Sequence, residues 1–445
     1  MTNPELPVVL NLYAEIAPGG LFRLLQRSLG AKVRDGIYTP RVVIWMMIMQ
    51  RLQGRGTLAG AVEQLAQGRL DGLLSRCKRV RENRIALSTG GYCQARQNLP
   101  RLLMERSVEE ILQRLRNHLG GRLLLAQRPA YVLDGSSLRM DHSAVQSEQY
   151  PPAPSWYGES HWPIIRVVVL HDVETGMAEQ PRWGPMYGSG AVGEQALAEK
   201  TIDCLPAGAA IIGDRNFGTF AMAYAMHQRG HAPVIRLTDV RAQKLQAGPL
   251  NQPGDYAVEW KPSRWDRAKH DQLPADAAIA GRLIVARVGR GKSAQGLYLF
   301  TTLSIPAEEV VALYGKRWNV ETDLRSLKQT VRLQHLNVQS VDLMEKELLA
   351  ALLAYNLVRA IMCLAARSAG IEARQLSFTW AYNIVQDGIS NALAGSTVNE
   401  QVHRLERIVA LVSRCRLPNR KERRSFPRRV WGRGQSFPSM GEKTK

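Results

Sequence analysis

Between Ala130 and Thr238 the pattern of apolar residues switches period repeatedly, and this alternation limits the fold more than any other feature. AYVLDG is a short apolar run, PIIRVVVLHD (163–172) is a long β-branched one, and GMAEQPRWGPMY reads as a third strand. GEQALAEKTIDCL (193–205) then has helical spacing, GAAIIGDRNFG reads as a buried strand, TFAMAYAMHQRG is helical, and APVIRLT (232–238) is a strand again. Such an order implies a mixed α/β sheet with helices packed on its faces.

The flanks differ in character. Residues 1–125 carry apolar residues at mixed three and four spacing, as in LFRLLQRSLG, RVVIWMMIMQRLQG and RLLMERSVEEILQRLRNHLG, and read as a helical module. Within it, STGGYCQAR leads into a short helix bearing Arg96. Two readings stand: a DNA reader of helix-turn-helix type, or a helical packing and dimerisation domain. Residues 240–302 break the alternation with DYAVEW, GRLIVARVGR and GLYLFTTL, which predict a β-rich insert. The core therefore comprises 126–239 and 303–345, and 346–445 form a helical C-terminal region. Its end, beyond Arg414, is rich in Arg, Pro and Gly and cannot bury enough apolar surface to fold alone.

Charge narrows the partner. Lys and Arg number 59 against 39 Asp and Glu, a net charge of +20, which favours a polyanion such as nucleic acid. The 5 cysteines have no paired spacing, so neither a disulfide framework nor a zinc site is expected and a reducing cytoplasm fits. The apolar run 347–366 is interrupted by Asn356 and Arg359 and reads as a core helix, so no membrane partner is expected.

Two features carry chemistry. Asp134 and Asp214 each close an apolar strand, where sheet enzymes place ligands, and two such carboxylates suit a divalent cation. Either alone reads equally as a cap or turn residue. The second feature is Tyr314-Gly-Lys-Arg317-Trp-Asn-Val-Glu321, with Lys328 seven residues later. At about 100° per residue these four side chains fall within about 60° on one helix face, over roughly 21 Å. Arg317 and Glu321 also form an ordinary i,i+4 pair, which a solvated helix would carry without any function.

YVLDG, IIGDRNFG and the spacing Tyr314, Arg317, Glu321, Lys328 together resemble the DDE transposases of bacterial insertion sequences, the IS-four family with its Tyr-Arg-Glu-Lys signature. AYNLVR (354–359) and FPRR (426–429) are weaker points of likeness. The resemblance implies a ribonuclease H-like core with a β-rich insert and a metal-binding triad of Asp134, Asp214 and Glu321. It also implies Mg²⁺ or Mn²⁺ as cofactor, two ions in number, and cut-and-paste transposition through a hairpin intermediate. The partners would be double-stranded DNA, as transposon ends and target, within a homodimer or larger synaptic complex near the nucleoid. In-line phosphodiester cleavage needs such metal-bridging carboxylates. Arg317 and Lys328 would contact phosphates. Tyr314 would contact a phosphate or a base, or only pack.

Trp260 and Trp265 flank KPSR in the insert; the mix suits an unstacked base, and burial is the competing reading. Glu194, His171 and Asp172 have plain explanations as caps or surface residues. Two other functions stay open: a DNA nuclease without strand transfer, and a non-catalytic DNA-binding regulator.

Overall fold

The computed structural model describes residues 8–418 except 32–35, 54–55, 76, 83, 120–127, 156–157, 180, 246–248, 289–294, 332–337, 339 and 392–397. The motif FPRR lies outside the described residues. Helices α1 (Val8–Ile16), α2 (Gly19–Ser28), α3 (Pro40–Leu52), α4 (Leu58–Ala66), α5 (Lys78–Arg81), α6 (Gly90–Asn98) and α7 (Arg101–Leu119) precede the sheet. α3 starts cleanly because Thr39 caps the Val42 N–H and Pro40 occupies the first turn. From Val42 to Met49 every residue of α3 is buried, so it is a core helix rather than a surface one.

The sheet has nine strands: β1 (Ala130–Arg139), β2 (Pro152–Ser155), β3 (Gly158–Asp172), β4 (Arg182–Pro185), β5 (Ala210–Gly213), β6 (Ala232–Arg236), β7 (Gly254–Trp260), β8 (Ile279–Val288) and β9 (Gln295–Thr301). Its order is β2-β3-β1-β5-β6-β9-β8-β7, with β4 also paired to β3. β1, β5 and β6 run parallel; the other pairings are antiparallel. The four residues of β5 are all buried, as the central strand of a sheet covered on both faces requires. Strands β7 to β9, within the segment read as an insert, prolong this same sheet beyond β6.

Helices α8 (Ala144–Gln149), α9 (Glu194–Ile202), α10 (Phe220–Gln228), α11 (Asp239–Lys244), α12 (Arg264–Lys269), α13 (Ala307–Gly315) and α14 (Trp318–Arg325) connect or cover the strands. Helices α15 (Val341–Ser368), α16 (Phe378–Asn391) and α17 (Val398–Ser413) follow. The sheet separates two cores. Tyr131, Leu133 and Ile211 face one core with α9 and α10, while Val132, Ile212 and Val234 face the other with α14, α15 and the N-terminal helices.

α15 organises the second core. It is long and apolar enough to cross a membrane, yet it is buried on all sides from Met344 to Met362. Its buried charged and amide side chains find partners inside the protein. Glu345 accepts from Tyr150 Oη (3.0 Å) and Trp183 Nε1 (3.1 Å), Lys346 Nζ donates to the carbonyls of Arg96 and Gln97, and Glu347 pairs with Arg51 at 2.6 Å and with Arg96. Asn356 makes two 2.8 Å bonds to the backbone of Ala178. One helix thus fastens the N-terminal helices and the far end of β3 together.

Candidate active site

β1 does not stop at Asp134, as its apolar run suggests, because β3 goes on pairing with it as far as Arg139. What stops is the parallel pairing with β5, whose last pair is Val132 with Ile212. Asp134 and Asp214 each lie two residues beyond that pair. They therefore stand side by side where the two strands part, on the face that Val132 and Ile212 share. The Asp214 carboxylate accepts the Asn216 N–H at 2.8 Å, which fixes the turn, and Asp134 accepts the Gly135 N–H at 2.9 Å.

Burial pushes the Asp134 carboxyl up to about 6, and the negative charges of Asp214 and Glu194 add to the shift. The Gly135 N–H and Arg317 act against it. Glu194, read from the sequence as a cap or surface residue, is instead a neighbour of the Asp pair. Its own carboxyl is raised by burial and by Asp214. A Cβ at residue 135 would fall 1.7 Å from Glu194 Oε1, so only glycine admits that side chain over β1.

The signature does not form one straight helix. α13 ends at Gly315, the chain tightens through i→i+3 bonds from Leu313 to Val320, and α14 begins at Trp318. A π-turn over Ser326–Thr330 then loosens it, closed by the Val331 N–H on the Ser326 carbonyl. The two departures twist in opposite senses. Tyr314 is buried beside Arg236, and burial raises its phenol. Arg317 lies between the helices, its guanidinium 4.9 Å from the Trp318 ring and 3.8 Å from Glu321 Oε1. Lys328 Nζ donates to Ser136 Oγ at 3.0 Å, which lands the end of the signature on β1 two residues from Asp134. Glu321 is exposed and faces Arg317.

A buried charge cluster that sequence reading missed holds α14 in place. Asp323, 1% exposed, accepts from Arg359 and accepts two bonds of 2.6 and 2.7 Å from Arg374. Burial alone would raise this carboxyl, but Arg359 and Arg374 outweigh it and hold it low. Arg374 reaches on to the carbonyls of Asp172 and Val173 at the end of β3. His171, also buried, lies 4.0 Å from Asp323, and burial lowers its imidazole to about 4, so it stays neutral. Gly176, at φ +74°, leaves the space that both guanidinium groups occupy. Arg359 belongs to AYNLVR, which ties that weak motif to the signature helix.

Three sequence candidates lie away from this site or are turned inward. Arg96 is buried and spent on Glu347 and the Tyr92 ring, so it presents no cation to DNA. Trp260 is packed edge-on against Phe300 and Phe220, at 4.8 and 5.8 Å, and offers no face to a base. Trp265, in contrast, is 84% exposed on α12.

The acidic neighbours of Asp134, Asp214 and Glu194, offer carboxylate oxygens that repel one another, and that is the chemistry a hard divalent cation takes. Among the described residues no three His, Cys, Asp or Glu side chains converge tightly enough to enclose an ion. The donor chemistry fits a cation; the convergence is incomplete.

Residues 125–357 match the Transposase DDE domain, and the chain belongs to that family of DDE transposases, enzymes dependent on divalent metal. Over 438 residues it is 26% identical to the transposase InsG for insertion sequence element IS4 of Escherichia coli (strain K12), covering 96% of this chain and 93% of that protein. It is thus a DDE transposase of the IS4 family. A looser likeness, with TM-score 0.40 and 11% identity, covers 93% of this chain and 86% of a chain in the cryo-EM structure of the piggyBac transposase synaptic complex with hairpin DNA.

Proposed function

We propose that this transposase moves its insertion sequence by a cut-and-paste route, with Asp134, Asp214 and Glu321 as the metal-holding triad. The observation that supports this most is the register of β1 and β5, which sets Asp134 and Asp214 side by side at the same offset from their last pair. Bound there, Mg²⁺ or Mn²⁺ ions, two in number, would polarise the scissile phosphate and lower the pKa of the attacking water.

The chain's own groups divide the remaining work. Arg317, within electrostatic reach of Asp134, holds a phosphate oxygen, and Lys328 on Ser136 steadies the strand beside it. Tyr314, buried beside Arg236, positions that cation rather than stacking on a base. Glu321, exposed and 3.8 Å from Arg317, turns to the Asp pair to complete the triad when a phosphate engages Arg317. Exposed Trp265 is the aromatic suited to an extrahelical base, and the route through a DNA hairpin belongs to this reading. A homodimer or larger synapse joins the two element ends.

The test is a time course on a labelled transposon end that resolves first nick, second-strand cleavage and strand transfer. Asp134→Asn, Asp214→Asn and Glu321→Gln should each abolish metal-dependent nicking while end binding persists. Near-normal nicking by any one variant removes that residue from the triad. Nicking without strand transfer by the unaltered protein would make it a nuclease instead.

A further inference from the structure

β6 ends level with the strands that carry the Asp pair. Ile212 pairs with Val132 on one side and with Val234 on the other. The residues two places further on, Asp134, Asp214 and Arg236, therefore form one row across the ends of three parallel strands. Val132, Ile212 and Val234 face the same core, which puts Arg236 on the same face as the Asp pair. Leu299 of β9, opposite Arg236, belongs to that core too. With neighbouring strands about 4.8 Å apart, Arg236 stands roughly one spacing from Asp214 and two from Asp134.

An arginine so placed would ordinarily take the nearest carboxylate as its counter-charge, and its side chain is long enough to reach Asp214. It does not. Among the described residues no carboxylate forms an ion pair with Arg236. Asp214 accepts the Asn216 N–H instead, and Arg236 lies beside the Tyr314 phenol, which burial keeps neutral. Buried and partly buried arginines elsewhere are paired: Arg96 and Arg51 with Glu347, Arg116 with Glu179, Arg359 and Arg374 with Asp323. Arg236 is itself partly buried, and a desolvated cation without a counter-ion costs stability. Packing alone explains neither its charge nor its place in the row.

We propose that Arg236 is a further catalytic residue, one that holds the DNA phosphate next to the scissile one, on the β6 side of the Asp pair. The inference rests on the reading of Asp134 and Asp214 as the place where the strand is cut. A strand whose scissile phosphate lies at the Asp pair and which runs on across the sheet meets Arg236 next. The guanidinium fork suits a phosphate, which supplies the counter-charge that the protein withholds. Pairing with Asp214 would have occupied both groups; the turn at Asn216 keeps them apart and leaves each open to its ligand.

The test uses labelled transposon ends in which the phosphates around the cleaved bond are neutralised one at a time as methylphosphonates. With the unaltered protein, neutralising the phosphate that Arg236 holds should slow the first nick roughly 10- to 150-fold, the effect of losing one charge-assisted contact. Arg236→Gln should slow nicking of the unmodified end by a similar factor, through kcat, with its melting temperature unchanged. It should also be indifferent to that one methylphosphonate while remaining sensitive to the others, because a contact already lost cannot be lost again. Arg236→Lys keeps the charge without the fork and should recover part of both the rate and the sensitivity. A wild-type rate in Arg236→Gln, or a loss that multiplies with the methylphosphonate effect at every position, overturns the inference. Asp134→Asn separates the two levels. Abolished nicking there with a wild-type rate in Arg236→Gln overturns the present inference alone. Near-normal nicking in Asp134→Asn overturns the reading of the Asp pair and this inference with it.

Discussion

Replacing Asp323 should unseat the signature helix, and the structure sets the size of the effect. In Asp323→Ala the buried Arg359 keeps only one bond of 2.9 Å to Tyr355 Oη and loses its counter-charge. Removing one partner of a buried ion pair costs about 3–5 kcal/mol. Arg374 adds little, because it is partly exposed and retains the carbonyls of Asp172 and Val173. A loss near 4 kcal/mol follows, a large share of the roughly 5–15 kcal/mol that holds a protein folded. Arg359→Met is the milder change. Asp323 keeps both bonds from Arg374 and the methionine fills the aliphatic space, so the bonds from Arg359 to Asp323 and to Tyr355 Oη are lost but no charge is left buried without a partner. The assay is urea unfolding followed by circular dichroism, with hydrogen exchange reporting the protection of α14 separately. Asp323→Ala should strip protection from α14 and lower stability more than Arg359→Met does. If Asp323→Ala costs less than about 1 kcal/mol, or Arg359→Met costs more than it, the buried cluster is not what seats the helix.

Three further outcomes are expected. The Asp134 carboxyl titrates near 6 when folded and near 3.9 when unfolded, so its contribution is favourable at low pH and is lost as pH rises through about 6. Without divalent metal, Asp134→Asn should therefore stabilise the fold at pH 8 by about 1–3 kcal/mol and give little gain near pH 3.5; melts in chelator at both values check this. Arg96→Ala should lower stability and leave the salt dependence of DNA binding unchanged, whereas deleting 419–445 should flatten it, as read from the slope of log K against log salt. Trp260→Ala should cost about 3–5 kcal/mol in unfolding experiments, while Trp265→Ala should leave stability unaltered and impair only the steps after the first nick.

The sequence revealed those parts of the fold and site that depend on neighbours close in the chain. The strand and helix order from Ala130 to Thr238 was readable because each element carries its own period. The sheet's second face was not, because it is covered by α15, whose role emerges only from contacts with residues far away. Arg96 looks like a DNA contact in sequence, yet its partner, Glu347, lies 251 residues on. Charge in a sequence has sign but no direction. Glu194 was passed over for a similar reason: a Glu at a helix start is commonplace, and the feature that distinguishes it is a missing side chain on another strand. The turns at 316–317 and 326–330 escaped as well, since residue spacing assumes an ideal helix and cannot see a 3₁₀ turn offset by a π-turn.

The central place of α15 also has a consequence in time. β1 leaves the ribosome more than two hundred residues before the end of α15, at Ser368. At about 5–20 residues per second, its apolar face waits roughly 10–50 s for the helix that covers it. The buried faces of α3 and α7 wait longer still. No earlier stopping point gives a chain that can close its second core. Premature termination, or a frameshift upstream of α15, would release a sticky fragment instead of a smaller working protein. Production of a folded molecule is thus all-or-none as far as Ser368.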